Sequence, residues 1–286
     1  MTVNELRREG KNKLAESGIR DADTDSVLIL EHVLKTDRNH ILLNGNSTVD
    51  SGSTDAYRSL IEKRMKHIPL QHITGRQGFM GFDFIVDENV LIPRQDTECL
   101  VEEALRELND GMKVLDLCTG SGCVIISIAG YKNDIDAVGT DISGEALEIA
   151  ERNAGLNKQK VRFCRGDLYE GLHNIGEYET KFDAIVSNPP YIRSDVIPTL
   201  MEEVREHEPL KALDGGSDGL DFYRRIIEEA RHHLTPGGCI LFEIGYDQAE
   251  AVTELFESRG YRDIETVKDY SGNDRVVKAR LPIVMV

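Results

Sequence analysis

The sequence predicts an α/β fold: a doubly wound, seven-stranded sheet preceded by a small all-helical domain, with a β-hairpin joining the two. Residues 1–75 show helical spacing of apolar residues and no strand alternation. Residues 76–92 include an alternating stretch that places Phe82, Phe84 and Val86 on one face. After residue 110, short apolar runs typical of buried strands alternate with helical segments, which is the pattern of a mainly parallel sheet covered on both faces. We therefore expect a helical domain at 1–75, a hairpin linker at 76–92 and a sheet domain at 93–286.

Breaks in the helical pattern divide the first domain into four or five short helices. They occur at Gly18, at residues 36–37 and across residues 45–53. His67 and His72 are spaced like neither a helical metal pair nor a zinc finger, so both are interpreted as surface or packing residues. We expect no metal site.

The hairpin is expected to pair residues 82–86 with 90–92 through a turn at 87–89. Residues 93–98 then open a helix, with Asp96 or Thr97 as the candidate cap. In the sheet domain the expected strands are 113–118, 135–140, 161–165, 182–187, 239–244, 261–268 and 274–281. The expected helices are 122–130, 144–153, 219–234 and 247–258. Ligands of such sheets lie beyond the carboxyl ends of the strands, where the strand order reverses.

Charge and cysteine usage restrict the class of protein. The formal net charge is −17, so the surface as a whole repels phosphate backbones, and no direct nucleic-acid partner is expected. Five cysteines without a CxxC spacing indicate a reducing compartment. The first residues lack an apolar signal-peptide core and no stretch is long enough for a membrane span. We expect a cytoplasmic protein without a membrane partner, and a monomer.

A stiff polar segment follows the predicted strand at 182–187. Pro189 disfavours a helical conformation at Asn188, and Pro190 does the same to Pro189, so Asn188 is presented on an extended backbone. The Asn188 side-chain oxygen and the Pro189 carbonyl are two acceptors, which suits a planar NH2 group whose nitrogen must be oriented. Tyr191 is expected to pack against the group that carries this NH2, for example a side-chain amide, or against the chain that bears it. A rigid turn after a strand is the alternative interpretation of this motif alone.

A second motif is a glycine turn after the first strand. Gly120 and Gly122 allow backbone N–H groups to close on a ligand, as at other strand-to-helix turns. The third glycine of the dinucleotide fingerprint is missing and Asp116 precedes the turn, which disfavours a nicotinamide cofactor. Asp141, at the end of the second strand, is placed to accept both hydroxyls of a ribose, unless it caps the next helix in place of Ser143.

The third strand ends at the same edge of the predicted sheet. There Asp167 and Leu168 would supply a carboxylate and an apolar contact beside an adenine. Together, the glycine turn, the acids after strands two and three, and Asn-Pro-Pro-Tyr after strand four resemble the class I S-adenosylmethionine-dependent methyltransferases. The Asn-Pro-Pro-Tyr form is similar to members that methylate planar NH2 groups on adenine, cytosine or glutamine.

A wider set of motifs resembles the HemK/PrmC family of peptide chain release factor glutamine methyltransferases. These motifs are PLQHITG (69–75), LIPRQDTE (91–98), EPLKALDGG (208–216), DGL (218–220), PGG (236–238) and FEIGYDQ (242–248). The resemblance covers nearly the whole chain, including the small helical domain. It implies an enzyme that methylates the side-chain amide nitrogen (N5) of a glutamine in release factors by direct in-line transfer from S-adenosylmethionine.

The resemblance also implies which residues form the site. The substrate glutamine would be bound by Asn188, Pro189, Pro190 and Tyr191. The cofactor would be held by Asp116, Cys118, Thr119, Gly120, Ser121, Gly122, Asp141, Asp167, Leu168 and Asn188. The cofactor-binding carboxylates position it and transfer no proton. Arg94, Thr97 and Glu98 would close the methionine end, or else form an ion pair or a capping box.

Three residues depart from the pattern of these relatives. Cys118 stands where the class usually has a first glycine, Gln95 replaces the second proline of the Ile-Pro-Arg-Pro motif, and Leu168 occupies a position that is often aromatic. We expect a tight but intact turn at Cys118 and weaker stacking at Leu168.

Three other functions compete with this interpretation. An adenine-N6 nucleic-acid methyltransferase shares Asn-Pro-Pro-Tyr, but it needs a basic recognition surface that a chain of net charge −17 does not indicate. A glutamine methyltransferase of a ribosomal protein would be expected to differ in its N-terminal domain. A cofactor-binding adaptor without catalysis would not need the Asn188 motif.

Overall fold

The computed structural model describes residues 1–176 and 178–283, and these divide into two compact units. The helical unit consists of Met1–Arg76 together with Met201–His207, and the sheet unit consists of Gln77–Leu200 and the chain from Glu208 onward. This division differs from the expected one in two respects. The hairpin groups with the sheet unit, and residues 201–207 group with the helical unit.

Five helices precede residue 75 in the helical unit. They are α1 (Val3–Glu16), α2 (Ala22–Leu34), α3 (Arg38–Leu43), α4 (Ser51–Arg64) and α5 (Leu70–Thr74). Helix α1 begins with a capping box, in which Thr2 Oγ1 accepts the Glu5 N–H and the Glu5 carboxylate accepts the Thr2 N–H. Leu6, Leu14 and Leu30 are fully buried in the shared core.

The segment at 201–207 belongs to the helical unit through a buried ion-pair network. The segment contains the short helix α9 (Glu202–His207). Arg64, at the end of α4, places Nη2 2.7 Å from Glu203 Oε1 and Nε 2.7 Å from Asp25 Oδ2. No local sequence pattern predicts this grouping, because the paired residues lie far apart along the chain.

The sheet unit contains a seven-stranded sheet, which confirms the predicted fold. Its strands are β3 (Lys113–Leu117), β4 (Asp136–Asp141), β5 (Val161–Arg165), β6 (Phe182–Ser187), β7 (Leu234–Glu243), β8 (Arg262–Lys268) and β9 (Asp274–Arg280). The order is β5-β4-β3-β6-β7-β9-β8, with β9 antiparallel to both of its neighbours and the other pairs parallel. The order reverses at β3, so a crevice opens beyond the carboxyl ends of β3, β4 and β6.

Helices pack on both faces of this sheet. They are α6 (Glu98–Glu107), α7 (Cys123–Tyr131), α8 (Gly144–Leu156), α10 (Asp221–Ala230) and α11 (Ala249–Ser258). Successive residues of one strand enter different cores: Leu115 joins the cluster that includes Tyr223, and Val114 joins the one that includes Ile126. This alternation explains the unbroken apolar runs in the sequence, because both faces of a doubly wound sheet are buried.

The hairpin is shorter than expected and lies earlier in the chain. It pairs β1 (Arg76–Phe79) with β2 (Phe82–Ile85). Its turn is formed by Met80 and Gly81, both with positive φ (48° and 74°), the geometry of a tight two-residue turn. The predicted turn at 87–89 is present, with the Val90 N–H donating to the Asp87 carbonyl at 3.3 Å, but it joins no strands, and the predicted strand at 90–92 is wrong. Val86 and Val90 are apolar because they pack against α8, with Ala146 and Ile149.

The start of α6 also differs from the prediction. A 3₁₀ turn at Gln95–Thr97 precedes the helix, and neither Asp96 nor Thr97 caps it through a side chain. The Asp96 carboxylate pairs instead with Arg275, whose Nη2 lies 3.1 Å away. Within the residues that the structure describes, no helix is both long and apolar enough to cross a membrane.

Candidate active site

A cavity of about 600 Å³ lies at the carboxyl edge of the sheet unit. The predicted site residues that line it are Asp116, Cys118, Thr119, Gly120, Ser121, Asp141, Asp167, Leu168, Asn188 and Pro190. Gly122, Pro189 and Tyr191 do not line it. The structure therefore brings together residues from the ends of β3, β4, β5 and β6 in one concave site.

The glycine turn after β3 explains how a cysteine replaces the first glycine. Cys118 has φ +59°, a left-handed conformation that glycine adopts freely and that other residues adopt at a strain of about 1–2 kcal/mol. The turn is therefore tight but intact, as expected. A Cβ on Gly120 would meet no atom within 4 Å, whereas one on Gly122 would lie 2.8 Å from Ile126 Cδ1. Gly120 leaves the cavity open, and Gly122 allows close packing behind it.

Two carboxyl groups, one buried and one partly buried, are fixed by this turn. Asp116, which is 1% exposed, accepts a hydrogen bond from the Thr119 hydroxyl at 2.6 Å, and burial raises its pKa to about 7. Asp141 accepts the Gly120 N–H at 2.8 Å and the Ser143 N–H at 2.9 Å, and burial raises its pKa as well. Ser143 caps α8, accepting the Ala146 N–H, so the side chain of Asp141 is not the cap.

An ion pair that the sequence did not predict lies just beyond the carboxyl end of β5. Asp167 Oδ2 lies 2.7 Å from Arg225 Nη2, and the Arg225 guanidinium lies over the Phe222 ring at 5.8 Å from its centroid. Phe222 and Arg225 both line the cavity from α10. Leu168 is buried and adopts φ +52°. Phe222 and Arg225 are one helical turn apart, and only that spacing could have indicated a shared face.

The Asn188 side chain is fixed through its amide nitrogen. Its Nδ2 donates to Thr97 Oγ1 at 3.2 Å, which directs the side-chain oxygen Oδ1 away from Thr97. Tyr191 turns away from the cavity: its hydroxyl donates to Glu243 Oε1 at 3.2 Å, and its carbonyl accepts from Gln248 Nε2 at 3.0 Å. Tyr191 therefore supports the segment from behind, in contrast to the expected contact with a substrate amide.

Arg94, Thr97 and Glu98 separate into different environments. Arg94 Nη2 lies 2.5 Å from Glu208 Oε1, and Thr97 lines the cavity beside Asn188. Glu98 Oε1 accepts the Met80 N–H at 2.7 Å and so supports the hairpin turn. The segment after Glu208, residues 209–212, also lines the cavity. In the sequence this segment belongs to the family motif at 208–216, and no local pattern placed it at the site.

These residues fit a nucleoside-bearing cofactor. The cavity volume is that of a small-molecule site. A strand-to-helix turn without a Cβ at Gly120 leaves room for a ligand, Asp141 supplies carboxylate oxygens, and Leu168 and Val90 supply apolar walls.

Fold and site together define a class I methyltransferase. The Methyltransferase small domain model matches residues 95–207, and the PrmC N-terminal domain model matches residues 5–75. The fold is similar to that of a solved methyltransferase from Pyrococcus furiosus, at a TM-score of 0.54 and 22% identity, covering 71% of this chain and 90% of that one.

Two curated relatives identify the family. A release factor glutamine methyltransferase of Clostridium acetobutylicum is 47% identical over 259 residues, 89% of this chain and 90% of the relative. Its counterpart in Geobacter sulfurreducens is 41% identical over 280 residues, 98% of this chain and 97% of the relative. The chain belongs to the release factor glutamine methyltransferase family, which confirms the resemblance seen in the motifs.

Proposed function

We propose that this chain methylates the side-chain amide nitrogen (N5) of a glutamine in peptide chain release factors, with S-adenosylmethionine as the methyl donor. One observation carries the proposal besides family membership. Asn188 stands at the edge of the cavity on a proline-stiffened backbone, with its amide N–H committed to Thr97 and its oxygen directed elsewhere. That is the arrangement that a second carboxamide needs in order to be held by its NH2 group.

The residues of the glycine turn would hold the cofactor, which supplies a methyl group activated on a sulfonium. Asp141 would accept the ribose hydroxyls with the lone pairs that Gly120 and Ser143 leave free. Asp116, Thr119 and Ser121 would form the floor of the cavity. Asp167 and Leu168 would flank the adenine base of the cofactor. Cys118 contributes its backbone rather than a nucleophile, because burial raises the pKa of its thiol well above the ordinary value.

Asn188 and Pro189 would orient the substrate. An amide nitrogen is a poor nucleophile because its lone pair is delocalised, so its approach to the methyl carbon must be aligned. Asn188 Oδ1 and the Pro189 carbonyl would accept the two amide hydrogens and turn the nitrogen lone pair toward the donor. Pro190 lines the wall, and Tyr191 supports the segment from behind. No covalent intermediate on the chain is required.

The remaining features of the proposal concern partners and setting. The helical unit would recognise the release factor, and the enzyme would act as a cytoplasmic monomer without a metal. The net charge of −17 disfavours a nucleic-acid substrate.

Mass spectrometry of purified release factors tests the proposal. The factors are incubated with this chain and methyl-labelled S-adenosylmethionine, digested and sequenced. We expect one labelled methyl group on the side-chain amide of a glutamine. Unmodified release factors, with label on a ribosomal protein or on a nucleic acid in parallel incubations, would overturn it.

A further inference from the structure

Two residues of α10, Phe222 and Arg225, line the cavity and have no role in the proposed function so far. Arg225 Nη2 lies 2.7 Å from Asp167 Oδ2, just beyond the carboxyl end of β5. The Arg225 guanidinium also lies over the Phe222 ring, 5.8 Å from its centroid. Because Asp167 lines the cavity as well, these three side chains form one connected part of its wall.

This ion pair is not explained by helix capping or by stability. Asp167 precedes the 3₁₀ helix Leu168–Ile175, but its carboxylate makes no capping hydrogen bond to the described residues of that helix. The side chains of Asp167 and Arg225 are 35% and 49% exposed, and an ion pair this exposed contributes little to stability. Arg225 contacts Oδ2, and the second carboxylate oxygen, Oδ1, can accept an N–H from a ligand.

The strand order indicates which part of a bound S-adenosylmethionine would lie beside Asp167. In the proposed function the ribose contacts Asp141, after β4, and the methyl group lies beside Asn188, after β6. The order β5-β4-β3-β6 places β5 on the side of β4 that is remote from Asn188. The Gly166 N–H donates to the Asp141 carbonyl at 2.9 Å, so Asp167 follows directly beside Asp141. The base is attached to the ribose at the end opposite to the sulfonium, and it therefore extends toward Asp167.

The polar edge of adenine differs from that of its deaminated form, hypoxanthine. Adenine carries an N6 amino donor next to the acceptor N1, whereas hypoxanthine carries the acceptor O6 next to an N1–H donor. An ionised carboxylate only accepts hydrogen bonds, so Asp167 facing this position favours N6–H and repels O6. A carboxylate that could shift would bind the N1–H of hypoxanthine instead. Selectivity for adenine therefore requires a carboxylate that is held in one orientation.

We propose that Arg225 is a positioning residue that holds the Asp167 carboxylate toward the N6 amino group of the cofactor and so selects adenine. The planar guanidinium contacts Oδ2 at its edge and the Phe222 ring at its face, and both contacts restrict its orientation. This inference rests on the proposed function, since it concerns the cofactor named there, but it does not depend on the methyl acceptor.

Five variants separate this role from a structural one. Arg225→Gln removes the cation, and Arg225→Lys keeps the charge without the planar group. Phe222→Leu removes the ring beneath the guanidinium. Asp167→Asn replaces a group that only accepts with an amide that also donates. Arg224→Gln is the matched control, because Arg224 is the preceding residue of α10, is 44% exposed, pairs with Asp218 and does not line the cavity.

Calorimetry with two stable ligands measures the selectivity. The ligands are S-adenosylhomocysteine and its hypoxanthine analogue, S-inosylhomocysteine, and the selectivity is the ratio of their Kd values. We expect the wild type to prefer the adenine ligand at least about tenfold. In Arg225→Gln this ratio should fall roughly fivefold, mainly because S-adenosylhomocysteine binds more weakly. Arg225→Lys and Phe222→Leu should retain more of the ratio, Asp167→Asn should bring it toward one, and Arg224→Gln should leave it unchanged.

The ratio distinguishes positioning from a structural role, because a general loosening of the fold weakens the binding of both ligands alike. An unchanged ratio in Arg225→Gln, or a wild type that does not distinguish the two ligands, would overturn the inference. If neither ligand binds, both the inference and the proposed cofactor are wrong. If the selectivity depends on Arg225 as expected but no release factor is methylated, the proposed function fails and this inference stands.

Discussion

At the residue scale, the proposed function depends most on one asparagine. Asn188 lines the cavity, and its side-chain Nδ2 donates to Thr97 Oγ1. In the proposed function, this carboxamide would position a substrate amide without transferring a proton. Its loss should therefore affect the rate far more than the binding of the cofactor.

We predict that Asn188→Ala lowers kcat on the order of a hundredfold or more and leaves the Kd for S-adenosylmethionine within about tenfold. Methyl-transfer kinetics and calorimetry on the purified variant measure the two quantities. Asn174→Ala is the control, because Asn174 is exposed, lies outside the cavity lining and donates its side-chain N–H to the Arg165 carbonyl. An undiminished kcat in Asn188→Ala would show that Asn188 is not the clamp.

Gly120 provides a test of the cofactor turn at the same scale. A methyl group at this position would project into space that no protein atom occupies, at a φ of +54°. We predict that Gly120→Ala weakens S-adenosylmethionine binding at least tenfold, because its Cβ would occupy part of the site that is open to the ligand. Calorimetry measures the affinity.

Gly111→Ala is the matched control for this prediction. Gly111 also has positive φ (+79°) and an open Cβ position, but it lies in an exposed turn outside the cavity. Both variants should lose a similar 1–2 kcal/mol of stability from the left-handed conformation. Equal cofactor affinities in the two variants would contradict a ligand-facing role for Gly120.

The position of a residue at the cavity was predictable from the sequence where a motif places that residue near a strand end. Asp116, Asp141 and Asn188 line the cavity because the carboxyl ends of parallel strands meet at one edge. It did not find Arg225 or Glu243. Arg225 reaches Asp167 from a helix that follows it by more than fifty residues, and Glu243 meets Tyr191 across two strands, so neither contact has a local pattern.

At the element scale, Asn153 ties three elements together. This residue of α8 is fully buried; its Oδ1 accepts the Ile85 N–H at 2.6 Å, and its Nδ2 donates to the Ile85 carbonyl at 3.1 Å and to the Ser121 carbonyl at 2.9 Å. One side chain therefore joins the last residue of β2 to the glycine turn. The hairpin thereby supports the glycine turn.

We predict that Asn153→Leu destabilises the protein by roughly 3 kcal/mol, because it leaves a buried N–H and two carbonyls without partners at similar side-chain volume. Urea denaturation followed by circular dichroism measures the change. Asn157→Ala, which removes a hydrogen bond to the Asp83 carbonyl nearer the surface, should cost no more than about 1 kcal/mol. Equal midpoints for the two variants would contradict a linking role for Asn153.

Helices and strands were predictable from the sequence where the apolar pattern extends over many residues. They were also predictable where strands alternate with the helices that connect parallel strands. The seven strands were recognised from alternating apolar and helical segments. The hairpin was placed one turn too late, because residues 82–92 contain two apolar runs and nothing local shows that Val86 and Val90 pack on α8. The Met80-Gly81 turn lacks the usual Asn-Gly signal, so its positive φ at Met80 was not foreseen.

At the scale of the whole molecule, buried acids couple stability to pH. Burial raises the pKa of both Asp116 and Glu243 to about 7 in the folded state. Since these values lie above the ordinary ones, the folded state binds more protons than the unfolded state between about pH 4 and pH 7. The contribution of these two acids to the free energy of unfolding is complete below pH 4 and is lost as the pH rises through 7.

We predict that Glu243→Gln is more stable than the wild type at pH 8, by on the order of 3 kcal/mol relative to their difference at pH 4, because an amide bears no ionisation penalty. Urea unfolding across this pH range measures the effect, with the exposed Glu62→Gln as control. A pH-independent difference would show that Glu243 ionises as readily in the folded chain as in the unfolded one.

The central claim is that Asn188 holds the glutamine amide beside the donor methyl group. A crystal structure of this chain with S-adenosylhomocysteine and a release factor, or a glutamine peptide from one, tests it most directly. We predict the glutamine amide nitrogen within about 2.7–3.2 Å of Asn188 Oδ1, with the nucleoside over the glycine turn. A glutamine bound elsewhere, or residues 188–191 facing solvent away from the nucleoside, would contradict the claim.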